Sequence, residues 1–395
     1  MDDPSLLVTL TGQDRPGIAA RLFELLAGSG HRVLDVEQVQ VHGRLLLCVE
    51  VARRIGADAE SVRQELTVGL SPVGGLAIAV ESIETTDEVR RGPRHLVTVL
   101  APRLEAPALA GIFGVVAANE GNVDRVVRLS SYPVTSYELV VSGGDPDRLR
   151  RQLSEVAASL EVDVAVQRAG LHRRAKHLIV LDADSTLIQG EVIDLLARRA
   201  GHAEEVTAIT AAAMAGELEF AEALDRRVAL LAGLPVGVLD EVAATLELAP
   251  GARTLVRTLR RLGYVTAVVS GGFGQVIERM AGELGIDHLA ANTLEVADGR
   301  LTGRLTGPVL DRAGKAVALR RFAEAAGVPL AQTVAVGDGA NDLDMLALAG
   351  LGIAYNAKAV VRDAADTALS VPYLDAILFL LGIARDEVEA ADAAG

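Results

Sequence analysis

Apolar positions along the first 170 residues follow the same order of strand-like and helix-like periods twice. In the first copy Ile18, Leu22 and Leu26 recur at helical spacing, and His42-Gly43 separates two β-rich runs. The predicted strands are 6–10, 31–41, 44–51 and 76–83, then 95–101, 123–129, 136–141 and 162–167, and the predicted helices are 18–26, 59–70, 108–119 and 148–160. This repeat predicts two tandem α+β domains of βαββαβ order, over residues 1–88 and 89–170.

After residue 170 the pattern changes to apolar strand runs that alternate with amphipathic helices, which is typical of an α/β domain. The clearest strand runs are 178–181, 264–269 and 333–336. Residues from 190 to about 250 show helical spacing without a strand pattern, and 294–301 has the pattern of a hairpin turning at Asp298-Gly299. We therefore predict, over 171–395, a Rossmann-like α/β domain, a parallel sheet with helices on both faces, that carries a small helical insertion. The hairpin contains no side chain to which we assign a catalytic role.

Chemically active side chains come directly after these strand runs. The acidic turn Asp182-Ala183-Asp184 follows the first run, Ser270-Gly271 follows the second, Lys315 opens a helix, and Asp338 lies in the loop after the third. Because ligands bind beyond the carboxyl ends of the strands in an open α/β sheet, we expect these groups to surround one pocket. Two carboxylates so close together raise each other's cost of ionising unless a cation lies between them. The turn therefore indicates a bound metal or a proton held at this site.

Charge and composition exclude several classes of partner. The 395 residues carry a formal net charge of -15 and 3% aromatic residues without any Trp, which disfavours binding to nucleic acid. No apolar stretch approaches the ~18 residues that a membrane span needs, and the N-terminus is acidic, so the expected location is cytoplasmic. A basic stretch, 168–176 with Arg173, Arg174 and Lys176, is predicted to be a solvated linker.

The ordered set of motifs in the second half of the chain resembles the haloacid dehalogenase (HAD) superfamily of phosphotransferases. The resemblance implies that Asp182 is the nucleophile, forming an aspartyl-phosphate, and that Asp184 acts first as general acid and then as general base. It also implies Mg²⁺ on the Asp182 side chain, the Asp184 backbone carbonyl and Asp338, with Asp342 supporting them. Four further positions are implied to bind the phosphoryl group: Ser270, Gly271, Lys315 and Asn341. Each motif alone is also typical of ordinary turns, and their order carries the resemblance.

The helical insertion lies where this superfamily carries a cap that selects the leaving group. A carboxylate and a guanidinium on opposite sides of an apolar pocket would recognise a zwitterion. Here the resemblance narrows to members that hydrolyse O-phospho-L-serine: Glu191 matches the residue for the amino group, Arg227 the residue for the carboxylate, and Met214 and Phe220 the pocket lining. Helical spacing alone does not separate Arg226 from Arg227, and either is also typical of a solvated surface charge.

The implied reaction is the Mg²⁺-dependent hydrolysis of O-phospho-L-serine to L-serine and phosphate, the last step of serine biosynthesis. Two alternatives stay open. In the first, the domain would act on another small phosphomonoester or transfer the phosphoryl group to an acceptor alcohol. In the second, the chain would be a non-catalytic amino-acid sensor with a vestigial core. Every acidic, Ser and Lys position that the chemistry needs is present, which disfavours the sensor.

The loop 12–17 in the first copy resembles the ACT family of amino-acid-sensing domains, whose fold is ferredoxin-like. The loop also has a structural interpretation, in which Asp14 caps the helix and Pro16 sets its first turn. On the family interpretation, a small amino acid approaches the backbone at Gly17, and serine is the expected effector. ACT modules usually pair across subunits, so a homodimer is expected. The corresponding loop of the second copy, 102–107, departs from the motif, so its ligand binding stays open.

Overall fold

A computed structural model describes residues 5–53, 56, 58–83, 94–170, 173, 175–214 and 217–394, without the side chains of Met214 and Phe220. The chain divides into two compact units, Met1–Gly92 and Pro93–Gly395. Within the described residues, no helix has both the length and the apolar character that crossing a bilayer requires.

The first unit is an antiparallel sheet with two helices, in the order that the sequence predicts. Its elements are β1 (Ser5–Gln13), α1 (Ile18–Gly28), β2 (Val33–Val41), β3 (Arg44–Ala52), α2 (Ala59–Leu70) and β4 (Leu76–Ile83). The strand order is β2-β3-β1-β4. Alternate residues of β1, Leu6, Val8 and Leu10, are fully buried in one apolar core with Ile18 and Leu66 of the helices. The alternation of β1 and the helical spacing of α1 therefore meet on the same side of the sheet.

The second unit begins with a module of the same order. Its elements are β5 (Arg94–Ala101), α3 (Ala106–Ala118), β6 (Asn122–Ser130), β7 (Thr135–Ser142), α4 (Pro146–Ser159) and β8 (Asp163–Arg168). The strand order β8-β5-β7-β6 matches that of the first unit, strand for strand. Val97 and Val99 of β5 pack with Ile112 and Leu153 in a separate core. The predicted pair of α+β folds is confirmed, while the boundaries at 88 and 170 stay a prediction.

The rest of the second unit is the predicted α/β domain, and its parallel strands lie between two layers of helices. Its elements are β9 (Leu178–Asp182), α5 (Val192–Ala200), α6 (Ala203–Met214), α7 (Phe220–Ala229), α8 (Val238–Ala243), α9 (Ala252–Arg261), β10 (Val265–Phe273), α10 (Gly274–Leu284), β11 (His288–Ala297), β12 (Arg300–Thr306), α11 (Arg312–Ala326), β13 (Thr333–Gly337), α12 (Leu343–Leu348), β14 (Gly352–Tyr355), α13 (Ala359–Ala364), β15 (Thr367–Leu369), α14 (Ile377–Leu380) and α15 (Arg385–Ala394).

In this domain β10, β9, β13, β14 and β15 run parallel in that order. Every residue of β9 is buried; Ile179 and Leu181 enter one apolar core, and Leu178 and Val180 enter another on the opposite face. This is the layering of a parallel sheet covered by helices on both faces. The predicted insertion is present as the helices α5 to α8 between β9 and β10.

A single sheet of eleven strands connects the second small module to the α/β domain. The junction is an antiparallel pairing of β15 with β8 at Thr367 and Ala165. Beside it, Asp163 accepts a hydrogen bond from the Ser370 amide at 2.7 Å, and Gln167 Nε2 donates to the Leu380 carbonyl at 2.8 Å. The second module is therefore part of the same folded body as the α/β domain, which the sequence pattern did not predict.

The prediction of a solvated linker at 168–176 is wrong for Arg173 and Lys176, whereas Arg168 is exposed as expected. Arg173 is 8% exposed, forms an ion pair with Glu138 of β7, and donates from Nε to the Leu380 carbonyl at 3.3 Å. Lys176 is 5% exposed and donates from Nζ to the Ala331 carbonyl at 2.7 Å, and burial lowers its pKa to about 8. Arg174 lies outside the described residues. The connector is thus fastened to the domain by its cations, because a buried cation requires partners.

Candidate active site

The acidic turn begins at the carboxyl end of β9, in the middle of the parallel strands. Asp182 is the last residue of the strand, and the tight turn Ala183–Leu187 follows it, with Ser185 in the left-handed region at φ 56°. Asp182 Oδ1 accepts a hydrogen bond from the Ala183 amide at 2.9 Å. The turn directs the Asp182 carboxyl group beyond the carboxyl ends of the strands, where the end of β10 and the loop after β13 also lie.

Lys315 joins the acidic turn to the loop after β13. Its Nζ lies 2.7 Å from Asp182 Oδ1 and 2.7 Å from Asp342 Oδ1, and its side chain is 1% exposed. Burial alone would lower the pKa of Lys315, but the two carboxylates outweigh burial and raise it. The second oxygen of Asp342 accepts the Gly339 amide at 3.0 Å. Lys315 is therefore a fixed cation between two carboxyl groups.

Asp338 completes a cluster of carboxyl groups that suits a metal ion. One carboxylate oxygen from each of Asp182, Asp338 and Asp342 lies within 4.8 Å of the others. Thr186 Oγ1 donates to Asp338 Oδ1 at 3.2 Å. Burial and then Asp342 raise the pKa of Asp182 well above its usual range, despite Lys315, and the same two causes raise the pKa of Asp338 to about 6.

These shifts test whether the cluster suits a divalent cation. The protein's own cations do not compensate the negative charge, so the buried carboxyl groups resist ionising. An ion between them would remove that cost, and oxygen donors of this kind are those that hard divalent cations prefer. Because Lys315 and the Gly339 amide already engage both oxygens of Asp342, Asp182 and Asp338 are the better placed ligands.

Asp184 occupies a different environment two residues further on. Its Oδ1 accepts the Val192 amide at 2.8 Å and its Oδ2 accepts the Ser270 hydroxyl at 2.9 Å. Burial raises the pKa of Asp184, although both hydrogen bonds oppose the shift. A carboxyl group that is held in position and has a raised pKa is suited to donating a proton and taking it back.

The irregular end of β10, residues 270–273, where the strand register shifts, forms a loop that lies against Asp184. Ser270 is fully buried, and its Oγ also accepts the Gly272 amide at 2.8 Å. A Cβ atom at Gly272 would lie 2.7 Å from Asp184 Oδ2, so no side chain fits there. The Gly271 carbonyl accepts a hydrogen bond from Asn292 Nδ2 at 2.8 Å. Because the Ser270 hydroxyl donates to Asp184 in this state, binding an anion requires the hydroxyl to turn away from that carboxylate.

Asn341 lies in the turn that follows Asp338. A Cβ atom at Gly339 would lie 2.2 Å from Asn341 Oδ1, so the Asn341 side chain folds back over that glycine. The loop thus brings Asp338, Asn341 and Asp342 to the end of β13, beside the Asp182 turn. The structure therefore brings all the predicted phosphoryl-binding and acidic positions to the carboxyl ends of the parallel strands.

In the cap, the structure separates the two adjacent arginines of α7. Arg226 has a side chain 54% exposed and pairs with Glu222 on the surface. Arg227 is 8% exposed; its Nε donates to the Ala223 carbonyl at 3.3 Å and its Nη1 donates to Thr210 Oγ1 at 3.4 Å. The Arg227 charge also lowers the pKa of Asp184, against the larger effect of burial. Arg227 is therefore buried in the cap and close enough to the acidic turn for its charge to act on Asp184.

Glu191 lies at the start of α5, and the charges of the same groups shift its pKa. Burial, followed by Asp184 and Asp338, raises the pKa of Glu191 to about 7, and Arg227 opposes the shift. Met214 and Phe220, predicted to line the pocket, lie in α6 and α7, but their side chains are outside the described part of the structure. The charges of Arg227 and of the acidic turn thus both act on Glu191.

In the first unit, the predicted amino-acid loop borders a cavity of its own. Gly17 has φ 95°, and a Cβ atom there would meet nothing within 4 Å. The loop lines a cavity of about 470 Å³ together with Gln38, Gln40 and Leu45. Helix α1 begins after Gly17 without a side-chain cap, so Asp14 does not cap it. These positions stay candidates for an effector site.

Three supporting residues were not found from the sequence: Thr186, Thr210 and Asn292. Thr186 belongs to the acidic turn, and its position four residues after Asp182 was an available signal. Thr210 and Asn292 carry no local signal, because their partners Arg227 and Gly271 are distant in sequence.

Comparison with known protein families assigns all three regions of the chain. A haloacid dehalogenase-like hydrolase model matches residues 179–347, and two ACT domain models match residues 5–68 and 93–167. These matches agree with the two small modules and the α/β domain that the structure shows.

Relatives with similarity along nearly the whole chain have been described. The chain is 54% identical to a phosphoserine phosphatase of Streptomyces coelicolor, over 99% of this chain and 95% of that protein. It is 53% identical to phosphoserine phosphatase SerB2 of Mycobacterium tuberculosis, over 98% of this chain and 96% of that protein. A solved structure described as a phospho-aspartyl intermediate analogue of phosphoserine phosphatase matches with a TM-score of 0.50 and 43% identity, over 52% of this chain and 98% of that one. The chain therefore belongs to the phosphoserine phosphatase family of haloacid dehalogenase-like hydrolases, as an enzyme that carries two ACT domains.

Proposed function

We propose that this enzyme hydrolyses O-phospho-L-serine to L-serine and phosphate by way of an aspartyl-phosphate on Asp182. The observation that supports this most directly is that Arg227 is buried in the cap and lies near enough to Asp184 for its charge to lower the pKa of that carboxyl group. A phosphoryl group at the carboxyl ends of the strands and a carboxylate at Arg227 would thus occupy one continuous site.

In the first step, the Asp182 carboxylate attacks phosphorus. Lys315 and the Ala183 amide hold its Oδ1, which leaves Oδ2 facing the substrate. The bond from Asp182 to phosphorus forms as the bond from phosphorus to the serine oxygen breaks, and Asp184 gives its proton to that oxygen. The raised pKa of Asp184 favours its protonated form before this step.

In the second step, water replaces Asp182 on phosphorus. Asp184, now ionised, takes a proton from the water as its oxygen attacks, and the bond between phosphorus and the Asp182 carboxylate breaks. Phosphate and the original carboxylate are released. One carboxyl group thus donates a proton in the first step and accepts one in the second. Hydrogen bonds from Val192 and Ser270 hold it in position for both steps, and its raised pKa suits both roles.

The phosphoryl oxygens require fixed donors, which we assign to Ser270, the Gly271 amide, Lys315 and Asn341. Such donors stabilise the charge that develops in the transition state. We propose that Mg²⁺ binds to the Asp182 side chain, the Asp184 carbonyl and Asp338. When bound, it would supply positive charge at the phosphoryl oxygens.

The cap selects the leaving group in this proposal. Arg227 would bind the serine carboxylate with two hydrogen bonds, and Glu191 would bind the ammonium group. Met214 and Phe220 are proposed to line the space between them. Arg227 and Glu191 carry charges opposite in sign to the carboxylate and ammonium groups that they would bind. A phosphomonoester without these two groups lacks both contacts.

The direct test is phosphate release from O-phosphoserine, O-phosphothreonine and sugar phosphates, measured with Mg²⁺ and with a chelator. We expect O-phosphoserine to have the highest kcat/KM and the chelator to abolish turnover. A sugar phosphate preferred over O-phosphoserine would refute the substrate assignment, and full activity in the chelator would refute the metal. Product analysis with an added alcohol would separate hydrolysis from phosphoryl transfer.

We further propose that the chain is a cytoplasmic homodimer in serine biosynthesis and that serine binds near Gly17. The cavity at loop 12–17 and the family match of residues 5–68 support an amino-acid site there. Calorimetry with serine on the full chain should show binding that Gly17→Val weakens without changing KM for phosphoserine. Equal serine binding by the two proteins would refute this location.

A further inference from the structure

The hairpin β11–β12 contributes no chemically active side chain, yet it is hydrogen-bonded to the cap segment that follows α7. The Gly233 amide donates to the Leu301 carbonyl at 2.8 Å, and the Leu301 amide donates to the Leu234 carbonyl at 2.9 Å. Arg300 Nη1 also donates to the Gly233 carbonyl at 2.6 Å. The segment that follows α7 therefore continues the hairpin almost as a further strand.

The base of the same hairpin is bonded to the phosphate-binding loop. Asn292 of β11 is 3% exposed, and its Nδ2 donates to the Gly271 carbonyl at 2.8 Å. Its Oδ1 accepts the Leu310 amide at 2.7 Å, just before the helix that carries Lys315. This buried amide thus connects two of the loops that we assign to the phosphoryl group.

The outer strand of the hairpin touches the helix that carries Arg227. Gly303 has φ 78°, and a Cβ atom there would lie 2.9 Å from Ala232 Cβ and 3.1 Å from the Ala229 carbonyl oxygen. Ala229 is the last residue of α7, two positions after Arg227. A methyl group at Gly303 would meet backbone and a Cβ atom, neither of which can rotate away, so the spacing between β12 and the end of α7 would have to change.

We propose that the hairpin β11–β12 is a spacer that sets the distance between the phosphate-binding loop at Gly271 and Arg227, and so selects substrates by length. Asn292 fixes one end of the spacer and Gly303 fixes the other. This inference rests on the proposed function, because it takes the substrate to be a phosphomonoester that carries a carboxylate.

The bonds of Arg227 explain why such a spacer matters. Its contacts to Ala223 and Thr210 are long, at 3.3 and 3.4 Å, so the placement of α7 largely sets the position of the guanidinium. Bidentate recognition of a carboxylate needs a defined geometry, and a misplacement of about 1 Å can cost on the order of 100-fold in rate. A displaced α7 should therefore weaken carboxylate binding while leaving the groups around Asp182 in place.

The test compares Gly303→Ala with Gly307→Ala. Both glycines have positive φ, 78° and 80°, but a Cβ atom at Gly307 would meet nothing within 4 Å. Each protein is assayed with O-phosphoserine and with p-nitrophenyl phosphate, which has no carboxylate. For Gly303→Ala we expect kcat/KM for O-phosphoserine to fall about tenfold, through KM, with p-nitrophenyl phosphate turnover unchanged. Gly307→Ala should match the wild type on both substrates.

A second variant guards against a folding failure of Gly303→Ala. Arg300→Ala removes an exposed side chain that holds the Gly233 carbonyl, and we expect a rise of about threefold in KM for O-phosphoserine alone. Parallel losses on both substrates, or no loss in either variant, would overturn the spacer. A wild type that hydrolyses p-nitrophenyl phosphate but not O-phosphoserine would instead refute the proposed function, and the spacer with it.

Discussion

The two ends of the proposed substrate site are constructed differently. At the sheet edge, Lys315 holds Asp182 and Asp342 at 2.7 Å each, and Asp184 accepts hydrogen bonds at 2.8 and 2.9 Å. In the cap, Arg227 has contacts of 3.3 and 3.4 Å. The end proposed to perform the chemistry is therefore fixed by short hydrogen bonds, whereas the end proposed to recognise the amino acid depends on where its helix lies. Changes at the first end should affect kcat, and changes at the second should affect KM.

The largest effect is expected for Asp182→Asn, because an amide cannot accept the phosphoryl group. Phosphate release from O-phosphoserine should fall by about 10⁴-fold or more. The fold should persist, since the change removes one of several carboxyl groups that repel each other, and thermal unfolding without added metal should occur at an equal or higher temperature. Asp344→Asn, at a carboxylate that pairs with Arg312 on the surface, is the matched control and should keep wild-type activity. Substantial turnover by Asp182→Asn would contradict the assigned chemistry.

Arg227→Lys should weaken recognition of the amino acid, with a smaller effect on activity than Asp182→Asn. A lysine ammonium cannot form the parallel pair of hydrogen bonds, so KM for O-phosphoserine should rise by about 10- to 100-fold with little change in kcat. Arg226→Lys, one residue earlier and exposed, should change KM less than about twofold. Steady-state kinetics of both variants would decide the point, and equal effects at the two positions would remove the distinction between the adjacent arginines.

Glu191 gives the recognition end a pH dependence. Because its pKa is raised to about 7, Glu191 becomes neutral as the pH falls below that value and then loses its attraction for the ammonium group. KM for O-phosphoserine should therefore rise as the pH falls from 8 to 6, relative to KM for p-nitrophenyl phosphate, which has no ammonium group. Glu191→Gln should have a high KM that no longer changes over this range. A ratio of the two KM values that is flat with pH in the wild type would contradict this role.

The smallest effect should come from Thr210→Val, which removes only the hydroxyl that accepts from Arg227. One long hydrogen bond contributes little, so KM for O-phosphoserine should rise about two- to fivefold with kcat unchanged. Thr207→Val is matched, since the Thr207 hydroxyl lies in the same helix and donates to the Ala203 carbonyl at 2.9 Å. A fall in kcat rather than a rise in KM would show that Thr210 acts on the chemical step.

The two small modules make a second contrast. They share one strand order, but β8 of the second module pairs with β15 of the α/β domain, and the buried Arg173 fastens the connector between them. Leu100 and Ala165 of this module also belong to the same apolar core as Leu181 of β9. The repeat in the sequence therefore predicts the fold of each module but not its structural role, which depends on what covers its sheet.

By itself, the sequence determined the elements and the chemistry of the site. Strand alternation, helical spacing and turn residues are local signals, so the repeated modules, the helical insertion and the acidic turn at Asp182 were predicted before any contact was known. The ordered motifs also indicated that Ser270, Lys315 and Asp338 would lie near that turn, because parallel strands bring their carboxyl ends to one edge of the sheet.

Only the tertiary structure decided which side chains are buried and what they meet. Arg226 and Arg227 are neighbours in sequence and of the same type, yet one is solvated and the other is buried in the cap. Arg173 and Lys176 form part of a basic stretch that is typical of a surface, and both are buried. Asn292 contacts Gly271 through a strand pairing that no local pattern encodes. Burial depends on which surfaces meet, and surfaces brought together from distant parts of the chain leave no periodic signal in either part.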